Sequence, residues 1–272
     1  MHQKKYIRTE DEFGMDNNST TKLEPGSYCG SDEIGKIETL KQLTVVSVYV
    51  DKNHFTTINE LGVNDSKKLS ESKIKTIGEK LTGFKKYSDI KSEEVVEKKD
   101  EYGLVFCPII YTNKEYNEYK NKNNENKYNA NKLLSELHNT ANLKVINHLN
   151  KDKEIIKNVV IDDFIHQNDS VDRFYDTYLE DITEKLPKDI IVLETKADST
   201  YKTIVGTASI ICAYIDILWQ NHLNEVYGKK LNYGNTVDQV TESLNILKEK
   251  NGLVYAKNTK IYTEWEKEWK KS

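Results

Sequence analysis

Arginine is almost missing from this chain. Of its 40 basic residues, 38 are Lys and two, Arg8 and Arg173, are Arg. Bidentate guanidinium clamps on phosphate or guanine are therefore nearly unavailable, and phosphate contacts fall to Lys, Asn and backbone N–H groups. Excess positive charge is missing too. The formal net charge is -4, which excludes a uniformly basic nucleic-acid coat. Cysteine is scarce. Cys29, Cys107 and Cys212 show no metal-ligand spacing, which argues against thiolate zinc chemistry and for buried free thiols in a reducing cytoplasm. No run of about 18 apolar residues is read in the sequence, so no membrane span is expected. Residues 1–12 are charged and lack an apolar core, so no signal peptide is expected.

What remains is a polar chain of 272 residues, 37% hydrophobic and 31% charged, long enough for one large domain or two small ones. Residues 1–26 read as a polar, flexible N-terminal arm closed by Pro25-Gly26. Residues 27–228 read as the main domain and 229–272 as a helical C-terminal extension. Leu43–Val50 is β-branched and continuous, the pattern of a strand buried on both faces, and the segment 27–34 is expected to pair with it. Gly103–Tyr111 is a further strand, placed at an edge or bulge by Pro108. Val159–Ile161 and Ile190–Leu193 are short buried strands. Helices are expected over 70–81, with Ser70 as N-cap, over 129–149, and in a long stretch after Asp198. Strands alternating with helices predict an α/β fold with a partly parallel sheet.

The acidic residues fall at the ends of these strands. Asp32-Glu33 closes the first, Asp162 follows the strand 159–161, and Asp198 follows the strand 190–193. Positions 130 and 36 residues apart can thus converge on one sheet edge. Crowded carboxylates cannot all ionise without a cation, and an oxygen-only donor set suits Mg2+ or Mn2+. The plainer reading stays open: an Asp after a strand is commonly a turn residue, and Asp198 or Ser199 could cap the helix that follows.

The motifs resemble those of the type 2 ribonucleases H, and of the ribonuclease HIII branch in particular. Gly30-Ser-Asp-Glu-Ile-Gly35 resembles the family's opening catalytic motif. Leu61–Leu69 is similar to its "DSKKL" segment, and Tyr116-Asn117, Asn131-Lys132 and Leu137-His138-Asn139 to its "YN…NK…LHN" pattern. Val160-Ile-Asp162 with Phe164 is similar to "IDxF", Thr195–Ser199 to "TKA(E/D)S", and Ala208–Ile211 to the helix after it. Leu231–Gly234 with Val237-Asp238 is similar to its tail. The resemblance spans about 27–260.

It implies a ribonuclease H-like mixed sheet flanked by helices, with a helical C-terminal extension. It implies an endonuclease that hydrolyses the RNA strand of RNA–DNA hybrids, leaving 5′-phosphate and 3′-hydroxyl ends. Asp32, Glu33, Asp162 and Asp198 would be the catalytic acids and would hold two Mg2+ or Mn2+ ions, one at the attacking water and one at the leaving 3′-oxygen. Asp163 is a rival to Asp162; neighbouring side chains on a strand face opposite ways, so one of them points into the site. Gly35, Lys36, Ser66, Lys67, Lys68, Asn131, Lys132, His138 and Ser199 would meet the hybrid. Packing or solvated roles are the alternatives for the lysine pair, for His138 and for Asn139. The expected partner is the hybrid alone, with no membrane and no stable protein partner, in a cytoplasmic monomer.

Three departures from the family stand out. Its glycine-rich "GTGDYFGP" turn reads Gly35-Lys-Ile-Glu-Thr-Leu-Lys-Gln42, with Ile37 where a second glycine is expected. Cys212-Ala213 stands where a small residue and Arg are expected. Only about 30 polar residues precede the first motif, where the family usually carries a substrate-binding domain. The alternative function is therefore a relative that binds hybrids with weak or no turnover. A protein that keeps the fold alone is a third reading.

Overall fold

The computed structural model describes residues 6–8, 23–36, 38, 40–122, 130–151, 156, 158–162, 190–194, 201–233 and 241–246. Seven strands form one mixed sheet: β1 (Tyr6–Arg8), β2 (Tyr28–Ile34), β3 (Leu43–Val50), β4 (Val96–Lys98), β5 (Leu104–Tyr111), β6 (Asn158–Asp162) and β7 (Ile190–Glu194). Their order across the sheet is β1-β7-β6-β2-β3-β5-β4. β1, β7, β6 and β2 run parallel, and β3, β5 and β4 continue antiparallel. The α/β architecture read from the sequence is thus present. The described helices are α1 (Phe55–Glu60), α2 (Glu71–Thr82), α3 (Lys99–Tyr102), α4 (Asn113–Lys122), α5 (Ala130–Leu149) and α6 (Lys202–Tyr227); residues 241–246 are helical as well.

Side-chain alternation along the strands builds two cores. Tyr28, Val46, Val48, Phe106 and Val160 point to one face, where α2 and α6 cover them. Cys29, Val45, Cys107, Val159 and Ile161 point to the other, against Leu134, Ala141 and Val145 of α5. All three cysteines are buried and free. α6 is apolar almost all round, as a helix inside a core must be. By length and mean hydropathy it is the one described helix that could cross a membrane, but 89% of that window is buried inside the protein, as in a core helix.

Several elements differ from the sequence reading. Residues 6–8 of the expected arm form β1, which pairs with β7 at the sheet edge. β5 is not an edge strand over its first half, because β4 pairs with residues 104–106. Pro108 lies beyond the end of β4, so its missing N–H removes no ladder bond on that side. α2 starts as expected, with the Ser70 side chain accepting from Lys73 N–H, and ends at Gly83 with positive φ. α6 starts at Lys202 with Tyr201 as its N-cap and no side-chain cap bond from it; Asp198 and Ser199, the caps the sequence offered, lie outside the described residues. The two helices expected beyond 235 lie largely outside the described residues, as does the Asn251-Gly252 break.

The close approach of α6 to β2 depends on Gly30. A Cβ there would sit 2.0 Å from Ile204 Cγ2. Gly30→Ala should cost about 1–3 kcal/mol through overpacking. Urea midpoints check this, and Gly30→Ala combined with Ile204→Ala should cost less than the sum of the two single changes.

Candidate active site

The register of the sheet sets the site. Ser31 of β2 lies opposite Ile161 of β6, so Asp32 and Asp162 are lateral neighbours at the carboxyl ends of parallel strands. Alternation puts both on the α6 face. Glu33, one residue on, starts from the α5 face and reaches the other two round the strand end. A ligand oxygen from each of Asp32, Glu33 and Asp162 lies within 4.8 Å of the others. β2 is also where the sheet changes from parallel to antiparallel pairing.

These carboxylates repel one another in a poorly solvated place. Asp32 is only 8% exposed. Burial pushes its carboxyl above the ordinary carboxylate range, and the Glu33 charge pushes it further. A Ser209 hydroxyl hydrogen bond, the Glu33 N–H (2.7 Å to Asp32 Oδ1) and the Lys67 charge pull it partly back. Asp162 is raised as well, by burial first and then by Asp32 and Glu33. A hard divalent cation with oxygen preference fits this donor set, because it removes the repulsion that raises both groups.

Asp32 and Glu33 are held by different elements. Ser209 of α6 contacts Asp32 and also accepts from Ser66 N–H at 3.1 Å, with the two hydroxyls 3.0 Å apart. Ser66–Lys68 form a 3-10 turn whose N-cap, Asp65, accepts from Lys67 N–H. This turn brings the Lys67 charge to Asp32 and Asp162, while Lys68 beside it is exposed. On the opposite face His138 of α5 bonds Glu33 Oε2 at 3.2 Å through Nε2 and Ser31 Oγ at 2.8 Å through Nδ1. Asn142 Nδ2 donates to the same Ser31 Oγ at 3.1 Å. Its Oδ1 accepts from Ser47 Oγ at 2.7 Å and from Cys29 Sγ at 3.5 Å.

This corrects one sequence expectation. His138 is 1% exposed, so it reaches the site through Glu33 rather than by facing a hybrid. Asn139 is buried as well. Asn131 is half-buried and Lys132 exposed; both lie at the first turn of α5, about 10 Å along its axis from His138. They flank the cluster rather than join it. Asp198, Ser199, Asp163, Phe164 and Ile37 lie outside the described residues. The sequence reading missed Ser31, Asp65, Asn142 and Ser209. The available signals were a serine in the otherwise apolar α6 stripe, and the polar α5 spacing Asn131, Ser135, His138, Asn142.

The turn after the acids is fixed by side chains. Gly35 has φ of +82°, and a Cβ there would lie 1.9 Å from Gln42 O, so this glycine is required. Lys36 after it is half-buried. Leu40 is fully buried beside Trp219 and Leu223 of α6, and Trp219 Nε1 donates to Leu40 O at 2.9 Å. Lys41 pairs with buried Asp216 at 3.2 Å and with Glu38 at 3.3 Å. Ala213 is buried in the α6 core.

The comparisons with known proteins bear on the family and the fold. A family model described as Ribonuclease HII matches residues 29–261. Ribonuclease HIII of Bacillus anthracis is 29% identical over 210 residues, 76% of this chain and 57% of that protein. Ribonuclease HIII of Bacillus mycoides is 28% identical over 210 residues, 76% and 56% of the two chains. The chain therefore spans 57% or less of the length of these curated relatives. A crystal structure of Bst-RNase HIII in complex with Mn2+ superposes with a TM-score of 0.66 at 22% identity, covering 87% of this chain and 67% of that one. Aquifex aeolicus RNase H3 superposes at 0.57 with 18% identity, covering 87% and 72%. These structures share the fold.

The electrostatic conflict gives a pH prediction. A carboxyl raised in the folded state destabilises the fold as pH climbs from its unfolded value, about 4, through its folded value. Metal-free protein should therefore melt lower at pH 8 than at pH 5.5, and Mn2+ should raise the melting temperature more at pH 8. Asp162→Asn should raise metal-free stability at pH 8 and shrink the Mn2+ effect. Melting curves with Mn2+ or with chelator check both signs.

Proposed function

The chain belongs to the ribonuclease HII family, and from that membership we propose that it hydrolyses the RNA strand of RNA–DNA hybrids, in the manner of the HIII branch it most resembles in motif. The observation that carries the reading is the convergence of Asp32, Glu33 and Asp162 within 4.8 Å at one strand end. Asp198 is proposed as the fourth acid on the strength of its motif. A pair of Mg2+ or Mn2+ ions, when bound, supplies an activated water and charge stabilisation at the leaving 3′-oxygen, giving 5′-phosphate and 3′-hydroxyl ends.

The chain's own residues do the rest. Asp32 and Asp162 offer oxygens from one face of the sheet, and Glu33 offers one from the other. Lys67, exposed and electrostatically coupled to both aspartates, is placed to meet a phosphate of the RNA strand. Lys68, next to it in the chain, and Lys36, after Gly35, are proposed as further backbone contacts, with Asn131 and Lys132 of α5 as an extension of that surface. Gly35 lets the backbone turn close to the reacting phosphate. Choice of hybrid over duplex DNA would rest on 2′-hydroxyl contacts in the minor groove. We propose a cytoplasmic monomer in which residues 27–228 form the catalytic domain and 229–272 a helical extension packed on it.

Cleavage of a labelled RNA–DNA hybrid with Mg2+ or Mn2+ tests the activity. Wild type should cut the RNA strand alone. Asp32→Asn should lose more than the ~10–100-fold that outer partners of a metal site carry. Equal cleavage by both proteins, or none by wild type, would sink the reading. Lys67→Ala should weaken hybrid binding and lower its salt dependence by about one phosphate contact.

A further inference from the structure

A polar network crosses the sheet on the α5 side and ends on Glu33. The sequence gives it a regular spacing: Ser135, His138 and Asn142 recur at three and four residues along α5, one face of the helix. That face packs on β2 and β3, where alternation leaves Cys29, Ser31, Glu33 and Ser47 pointing at it. Apart from Glu33 at its outer end the network is buried: Cys29, Ser31, Ser47 and Asn142 are at 0% exposure and His138 at 1%.

Its contacts support one order of donors and acceptors. Asn142 Oδ1 accepts from Ser47 Oγ and Cys29 Sγ, so its Nδ2 is the donor to Ser31 Oγ. The Ser31 hydroxyl then has its one O–H left to give, and His138 Nδ1 lies 2.8 Å away. An ionised carboxylate only accepts, so Nε2 carries the ring N–H that is donated to Glu33 Oε2. The order runs Asn142 to Ser31 to His138 to Glu33, with each donor matched to an acceptor. A histidine held in one tautomer by a hydroxyl behind it is a rigid support for the group in front.

We infer that His138 is a positioning residue: oriented by Ser31 and Asn142, it fixes the Glu33 carboxylate so that Oε1 is the oxygen offered to a divalent cation beside Asp32 and Asp162. This rests on the proposed metal site and goes beyond it. Glu33 comes from the opposite face to the two aspartates, so its placement is not set by β2 alone. Without the ring its side chain could turn away from the like-charged pair, and repulsion would favour that turn.

The test is Mn2+ binding by calorimetry, with melting and hybrid cleavage measured alongside. His138→Phe keeps an aromatic ring but removes the donor, and should weaken Mn2+ binding by ~10–100-fold with the hybrid KM unchanged. His138→Gln places an amide N–H near Nε2 and should recover most of the affinity. Ser31→Ala, which cuts the support but spares the ring, should give a smaller loss and covers the case in which His138→Phe does not fold. The inference is overturned if the variants bind Mn2+ as wild type does, or if only the hybrid KM or only the melting temperature moves. Wild type that takes up no Mn2+ overturns the metal-site reading and this inference together. A His138 effect on Mn2+ binding in a protein that cuts no hybrid supports the inference and overturns only the proposed activity.

Discussion

Three carboxylates forced together at one strand end are the constraint on which the rest of the structure depends. Water would normally separate such charges, but Asp32 is buried and Glu33 and Asp162 are half-buried. The fold offsets the repulsion locally, with the Ser209 hydroxyl, the Glu33 N–H and the Lys67 charge acting on Asp32. These leave Asp32 and Asp162 still raised. The residual conflict is what gives the site its demand for a divalent cation, since groups already content with their protein partners would gain little from one.

The supports come from both faces of the sheet, which is why the site needs the whole three-layer fold. α6 presses on β2 at Gly30, where no Cβ is possible, and so brings Ser209 to Asp32. Through Ser66 the same serine ties the lysine-bearing 3-10 turn to the acids. α5 carries His138 to Glu33 from the other side. The turn after the acids has exchanged glycine flexibility for anchoring: Leu40 in the α6 core, Trp219 on its carbonyl and Lys41 on Asp216. A turn held by side chains is positioned without relying on several glycines, provided Gly35 keeps its positive φ.

Much of this could be read from the sequence because it follows from short-range rules. β-Branched runs marked β3 and β6, Ser70 and the 3.6-residue period marked α2, and acids just past strands marked Asp32 and Asp162. The supports were harder to see. Ser209 meets Ser66 across 143 residues and His138 meets Ser31 across 107, so no local pattern pairs them. His138 looked like a substrate contact because a polar residue in a motif says nothing of its burial. β1 was missed because three residues, Tyr6–Arg8, carry too little periodicity to stand out from a polar arm. α6 was visible as a long apolar stretch, and its burial inside the core accounts for its high mean hydropathy.

The central claim is that Asp32, Glu33 and Asp162 together hold a divalent cation. A crystal soaked in Mn2+ and measured at the manganese absorption edge tests it most directly. The account predicts an anomalous peak within direct coordination distance of carboxylate oxygens from Asp32 and Asp162, with Glu33 supplying Oε1. A peak remote from all three residues, or none there at saturating Mn2+ and pH 8, would contradict it.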